Sequence, residues 1–142
     1  MSDEPQSEDA WLLLAILYAA QANEPVNLVR LIGSADFINH AIPTLGELEG
    51  ALGRLSDRGW ILVDKLEFSP TPQAEEMFGP RRGIRTAVPS DLEFVREEIG
   101  AAVWSADATL TETPDRPCIK GLTASALDDA FQQYSASLRA HR

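Results

Sequence analysis

The chain has 142 residues, 44% of them hydrophobic, and a net charge of −10 at pH 7. This length supports one domain with a small appendage and excludes two large independent domains. The longest apolar run, residues 11–20, is much shorter than the roughly 20 residues of a membrane span. The acidic start MSDEPQSED lacks the basic residues of a secretory signal. The sequence therefore predicts a cytoplasmic protein without a membrane anchor.

Several kinds of chemical site have no residues to support them. The single cysteine, Cys118, excludes an internal disulfide, and with only His40 and His141 beside it there is no zinc-binding cluster. The chain has no Gly-rich phosphate loop, nucleophile elbow or paired-histidine motif. We therefore expect a protein that is not an enzyme and that holds neither a metal nor a cofactor.

The first predicted helix, WLLLAILYAA at residues 11–20, is apolar on nearly every side. A helix that covers one side of a small domain needs only an apolar stripe, so a second face of this helix requires another partner. Asn27 is a candidate N-cap for a second helix. The apolar residues of that helix have helical spacing: Leu28, Leu31, Ile32, Ala35 and Ile38.

A third helix and a hairpin follow. Thr44 and Glu47 have the spacing of a capping box, which predicts a helix start, and Gly59 is placed to end that helix in a left-handed conformation. One narrow stripe faces the core: Leu45, Leu48, Leu52 and Leu55. The next residues, WILVDKLEF, predict two short strands joined by a tight turn, a small β-wing. Pro72 then begins a short helix that runs through Phe78.

Two more helices are predicted after residue 81. Ser90 and Glu93 repeat the capping-box spacing and open the first of them. Its apolar face consists of Leu92, Val95, Ile99 and Val103. Residues 105–122 show no clear period and are predicted to form a long loop. The last helix begins near Thr123, and its apolar stripe consists of Leu127, Phe131, Tyr134 and Leu138.

Three helices followed by a two-stranded wing is the order of a winged helix-turn-helix domain. The stretch ELEGALGRLSDRGWILV resembles the recognition helix and first wing strand of the PadR and MarR types of bacterial regulator. SPTPQAEEMF resembles the short helix that follows the wing in the PadR type, and ADFINHAIPTLGELEGAL resembles small uncharacterised bacterial winged-helix proteins. The resemblance implies a mainly α fold with a small two-stranded β-wing (α+β), and it is more specific for fold than for function.

These patterns divide the chain into a disordered acidic N-terminus at 1–9, a winged-helix domain at 10–80 and a C-terminal helical extension at 81–142. The uncovered face of the first helix predicts that the extension forms a homodimer. The candidate dimer contacts are Leu127, Phe131, Tyr134 and Leu138. In the alternative arrangement, the last helix folds back over the first and the protein stays monomeric.

The resemblance implies a transcriptional regulator whose third helix enters the major groove of DNA. The candidate phosphate contacts are Arg54, Arg58, Lys65, Arg81, Arg82 and Arg85. Because Arg54 and Arg58 lie off the leucine stripe, replacing both with alanine is expected to remove DNA binding and leave the fold intact. Charge argues against DNA, since residues 1–80 hold 13 Asp and Glu against 4 Lys and Arg.

The acidic surface favours a second function, a winged-helix module that binds a basic or helical protein partner without binding DNA. Three glycines lie along one flank of the third helix: Gly46, Gly50 and Gly53. Either a backbone, that of DNA phosphates or of a partner helix, approaches closely along this flank, or tertiary packing simply tolerates glycine there. A third function, an enzyme or ligand sensor with a pocket beside the C-terminal helices, has no motif to support it.

Two charged groups also have two interpretations. The cluster of Arg81, Arg82 and Arg85 either contacts phosphate or pairs with the acidic body of the protein. Asp36 and His40 have the spacing of a helical surface ion pair, which we prefer to a pH-sensitive site.

Overall fold

Six helices and a three-stranded sheet make up the part of the chain that a computed structural model describes, residues 7–20, 24–82, 86–105 and 121–140. In chain order the elements are α1 (Ser7–Ala19), β1 (Val26–Asn27), α2 (Leu28–Asn39), α3 (Leu45–Asp57), β2 (Ile61–Asp64), β3 (Glu67–Pro70), α4 (Pro72–Phe78), α5 (Val88–Ser105) and α6 (Ala124–Ala140). A single 3₁₀ turn, Gly79–Arg81, follows α4.

Local capping signals place the helices of the winged domain as predicted. The Asn27 side chain accepts a hydrogen bond from the backbone of Arg30, which caps α2. Both hydrogen bonds of the Thr44 and Glu47 capping box are present, at 3.1 and 2.9 Å. Gly59, with φ 81°, ends the turn after α3 in the left-handed region that glycine tolerates. These predictions are confirmed.

Two local predictions are corrected, and a third falls mostly outside the described residues. α1 begins at Ser7, so residues 7–9 of the segment expected to be disordered are helical, and residues 1–6 lie outside the described part. The second capping box is wrong because α5 begins at Val88, which puts Ser90 inside the first turn. The Ser90 hydroxyl instead accepts a hydrogen bond from Arg81. The predicted loop at 105–122 falls mostly on residues outside the described part.

The wing has three strands where two were predicted. β1 pairs with β3, and β3 pairs with β2, both antiparallel, so that β2 and β1 form the edges. Val26 lies opposite Phe68, and both side chains are fully buried. β1 was missed because two residues are too short to show a hydrophobic period. The order of helices and strands is that of a winged helix-turn-helix domain in a mainly α fold, as predicted.

The core is built around α1, whose residues 10–17 are all at most 6% exposed. α2 and α3 pack against it, and α5 covers a further face. α6 packs mainly against α2. The C-terminal helices therefore fold back within the chain, but it is α5, and not the last helix, that supplies the second partner that the apolar sequence of α1 required.

Candidate functional site

Arg54, the central candidate on α3, is bound by carboxylates of α1. Its Nε and Nη2 donate to both oxygens of Asp9 at 2.7 to 3.1 Å, and its Nη2 lies 3.6 Å from an oxygen of Glu8. The Asp9 side chain is only 5% exposed, whereas that of Arg54 is 39% exposed. Such a two-pronged guanidinium–carboxylate contact is strong and geometrically specific. The positive charge of Arg54, the basic residue of α3, is thus balanced by carboxylates of the same chain.

Gly50 makes room for this arginine. A methyl group at Gly50 would lie 3.2 Å from Nη1 of Arg54, which is closer than ordinary van der Waals contact. The guanidinium therefore lies over the backbone one helical turn before its own residue. Gly46 has open space around it, and Gly53 is half-buried. Of the three glycines on this flank of α3, Gly50 is therefore explained by packing within the chain, because a larger side chain there would crowd Arg54.

The remaining candidates around the wing differ from Arg54. Arg58 is half-buried, and its Nε is buried with no hydrogen-bond partner among the described residues. Lys65 is exposed at the turn between β2 and β3, where Lys65 and Leu66 have φ of 54° and 62°. Two such residues define a type I′ hairpin turn, which asparagine and glycine normally occupy. Leu66 packs against Gly121, where a methyl group would lie 3.6 Å from Leu66 Cγ. The turn is therefore held against the segment that leads into α6.

The arginine cluster after α4 is used for internal contacts. Arg81 donates through Nε to Asp91 at 2.7 Å and lies 4.9 Å from the ring centroid of Phe94. Arg82 pairs with Glu75 and donates to the carbonyl of Leu17 at 2.9 Å, near the end of α1. Cations at a helix C-terminus satisfy carbonyls that lack a helical partner. The sequence left open whether this cluster contacts phosphate or pairs with acidic residues of the protein, and Arg81 and Arg82 do the latter. Arg85 lies outside the described residues.

Asp91 is the most connected polar group that the sequence analysis missed. Its carboxylate, 4% exposed, accepts hydrogen bonds from Tyr18 at 2.6 Å, Thr86 at 2.7 Å and Arg81. Burial acts to raise the pKa of Asp91, but these three hydrogen bonds and the charge of Arg81 outweigh it, so the pKa lies below its ordinary value. Burial and the hydrogen bond to Asp91 both raise the pKa of Tyr18. This cluster fixes α5 to the winged domain. In the sequence, the only indication of this cluster is Tyr18, a polar side chain within the apolar run at residues 11–20.

The predicted dimer stripe on α6 divides into buried and exposed members. Tyr134 donates to Asp36 at 2.6 Å, and burial together with this bond raises the pKa of Tyr134 to about 12. Asp36 thus pairs with Tyr134, while His40 caps α2 through a backbone bond to the Asp36 carbonyl. Leu127 is half-buried, but Phe131 is 37% and Leu138 is 49% exposed. The homodimer stays a prediction, because α5 covers the face of α1 from which it was argued.

Gly33→Ala is expected to loosen α6 without unfolding the domain. The new methyl group would lie 3.0 Å from Tyr134 Cε1, so the ring must move away from α2. Alanine also gains about 1 kcal/mol in helix propensity, which offsets the loss in global stability. Amide hydrogen exchange should show faster exchange in α6 and little change in α3. Gly46→Ala is the control, because its site is open and only the propensity gain applies. Unchanged exchange in α6 would contradict this packing.

The described residues include no group of three or more side chains that could hold a metal ion, and none of their helices is long and apolar enough to cross a membrane. No protein-family model, curated protein or solved structure matches the chain.

Proposed function

We propose that this winged-helix protein binds another protein, and that DNA is not its main ligand. The observation that carries the proposal is the pairing of Arg54 with Asp9 and Glu8. A recognition helix contacts DNA through free donors, and nonspecific affinity comes largely from cations that displace counterions from phosphates. With its guanidinium held by a buried carboxylate, Arg54 contributes little to such an interface.

The same pairing extends over the described surface. Five arginines form ion pairs with acidic residues of the chain: Arg30, Arg54, Arg81, Arg82 and Arg96. Among the cations whose side chains the structure describes, Arg58 and Lys65 take part in none of these ion pairs. The other charged residues of α3 are acidic: Glu47 and Glu49 are half-buried and Asp57 is exposed, so the accessible charge of the helix is mainly negative. An acidic surface favours a basic protein partner.

Exposed apolar side chains add to the case for a protein partner. Phe37 on α2 is 64% exposed and Leu62 on β2 is 60% exposed. Single exposed apolar residues are common, but large ones beside acidic groups have the composition of binding anchors surrounded by a polar rim. Phe37 and Leu62 would therefore supply apolar contact area to the partner, and the acidic residues would attract its positive charges.

DNA binding is the second candidate, and one observation favours it. The helix, strand, two helices and hairpin have the order with which winged helix-turn-helix proteins present a helix to the major groove. Arg58 and Lys65 would have to make the contact, together with Arg85. Regulators of this kind can be acidic overall and still bind DNA through a local patch.

An electrophoretic shift assay with sheared genomic DNA separates the two candidates. At about 50 mM salt we expect at most a weak shift, and at about 200 mM salt none, because few cations are available to displace counterions. The double variant Arg58→Ala and Lys65→Ala is the control, since it removes the cations without an ion pair. A shift that persists at the higher salt and is lost in this variant would overturn the protein-binding proposal in favour of DNA.

A further inference from the structure

The outward side of the hairpin is a small mixed surface. We call it the wing face, and it consists of Leu62, Asp64, Glu67 and Ser69. Alternation along β2 puts Ile61 into the core at 1% exposure and Leu62 outward at 60% exposure. Asp64 and Glu67 are both exposed, and Leu62 lies directly opposite Ser69. One large apolar side chain therefore shares a face with two carboxylates.

The two carboxylates of the wing face are badly placed for the stability of the isolated hairpin. Asp64 lies directly opposite Glu67 in the register of β2 and β3. Like charges directly opposite each other on one face of a sheet destabilise it. Neither carboxylate has an ion pair within the described residues, although Lys65 lies between them in sequence. A cation that binds between Asp64 and Glu67 would remove this repulsion.

The wing face adjoins a strand with a free edge. β3 pairs with β1 on one side and β2 on the other, so β2 has no second strand partner among the described residues. An edge strand presents unpaired backbone N–H and C=O groups that can pair with another chain. The turn beside it packs against the body of the protein, since Leu66 is half-buried against the core. The edge is therefore held in place before any partner arrives, which lowers the ordering cost of binding.

We infer that β2 and the wing face bind an extended, basic segment of a partner protein by strand addition. Main-chain hydrogen bonds to β2 supply affinity, and alternate side chains supply specificity. Lysine or arginine side chains of the segment lie against Asp64 and Glu67, and an aliphatic side chain lies against Leu62. This inference rests on the proposed function and names the chemistry of its partner.

A displayed library of short random linear peptides, panned against the full chain at low salt, tests the inference. The selected peptides are expected to carry an aliphatic residue and a lysine or arginine two positions apart, because Leu62 and Asp64 lie two residues apart on one face of β2. Synthetic copies should bind in fluorescence anisotropy, and Leu62→Lys, which removes the apolar contact and repels a basic segment, should abolish that binding. Strand addition also predicts slower amide hydrogen exchange in β2 in the complex. Binding that leaves the β2 amides unprotected would overturn the strand-addition geometry.

Charge variants keep the test independent of folding. Asp64→Asn with Glu67→Gln removes the like-charge pair, so the hairpin should be at least as stable, while peptide affinity falls roughly tenfold. Asp128→Asn with Asp129→Asn removes the same charge from the exposed side of α6 and should leave affinity within about twofold. Equal losses in the two variants would indicate a general charge effect and overturn the site.

The outcomes also separate this inference from the proposed function. Selected peptides that bind the Leu62→Lys variant as well as the native chain would remove the wing face as the site and leave protein binding in place. A selection that yields no binding peptide overturns the wing-face inference. If the native chain also shifts DNA at about 200 mM salt, the proposed function fails as well.

Discussion

Arg54→Ala is expected to lower the free energy of unfolding by about 2 to 3 kcal/mol. The substitution leaves the carboxylate of Asp9, 5% exposed, without its main donor. Removing one partner of a fully buried pair costs roughly 3 to 5 kcal/mol, and the 39% exposure of Arg54 reduces that cost because water screens the pair. Urea denaturation followed by circular dichroism would measure the change. The sequence analysis expected the fold to stay intact without Arg54, and the pairing with Asp9 instead predicts a loss of stability.

Two further variants sharpen the Arg54 result. Arg58→Ala is the matched control on the same helix end, because its Nε has no hydrogen-bond partner among the described residues and its removal should be nearly neutral. Asp9→Asn combined with Arg54→Ala should cost less than the sum of the two single changes, since both remove the same contact. An Arg54→Ala protein as stable as the native chain would contradict a structural role for the pair.

Asp91→Asn is expected to cost about 3 kcal/mol at pH 7, and the cost should shrink in acid. The carboxylate is 4% exposed and accepts from Tyr18, Thr86 and Arg81, so the substitution weakens three hydrogen bonds, one of them to a charged group. The folded pKa lies below the ordinary value of 3.8, so the ionised group stabilises the fold above that value. This contribution is lost as the pH falls through the folded pKa.

The pH dependence is the sharper part of the Asp91 prediction. Urea denaturation of native and Asp91→Asn protein at pH 7 and near pH 3 should show the difference in unfolding free energy falling at the lower pH, because the carboxyl group of the unfolded chain is then protonated while the folded state still favours the ionised form. Asp128→Asn is the control, because Asp128 is exposed and should give a small difference at both values. A difference that is constant or grows toward acid would show that the ionised form of Asp91 does not stabilise the fold.

The sequence by itself determined the features that depend on neighbours within a few residues. The Thr44 capping box, the Asn27 cap and the left-handed Gly59 were all predictable, because each joins groups one helical turn apart or concerns a single backbone conformation. The apolar sequence of α1 likewise required partners on more than one face, as it has in α2, α3 and α5. These local rules placed the helices and the hairpin of the winged domain.

The tertiary structure decided which groups meet. Asp9 and Arg54 are 45 residues apart, Tyr18 and Asp91 are 73 apart, and no periodicity in the sequence relates them. The sequence counted Arg54 as a candidate phosphate contact because the carboxylates that bind it belong to α1, far away in the chain, and the fold brings α1 across it. The outward charge of a helix depends on what packs beside it, and long-range packing of side chains decided that most of the arginines with described side chains are paired with carboxylates of the same chain.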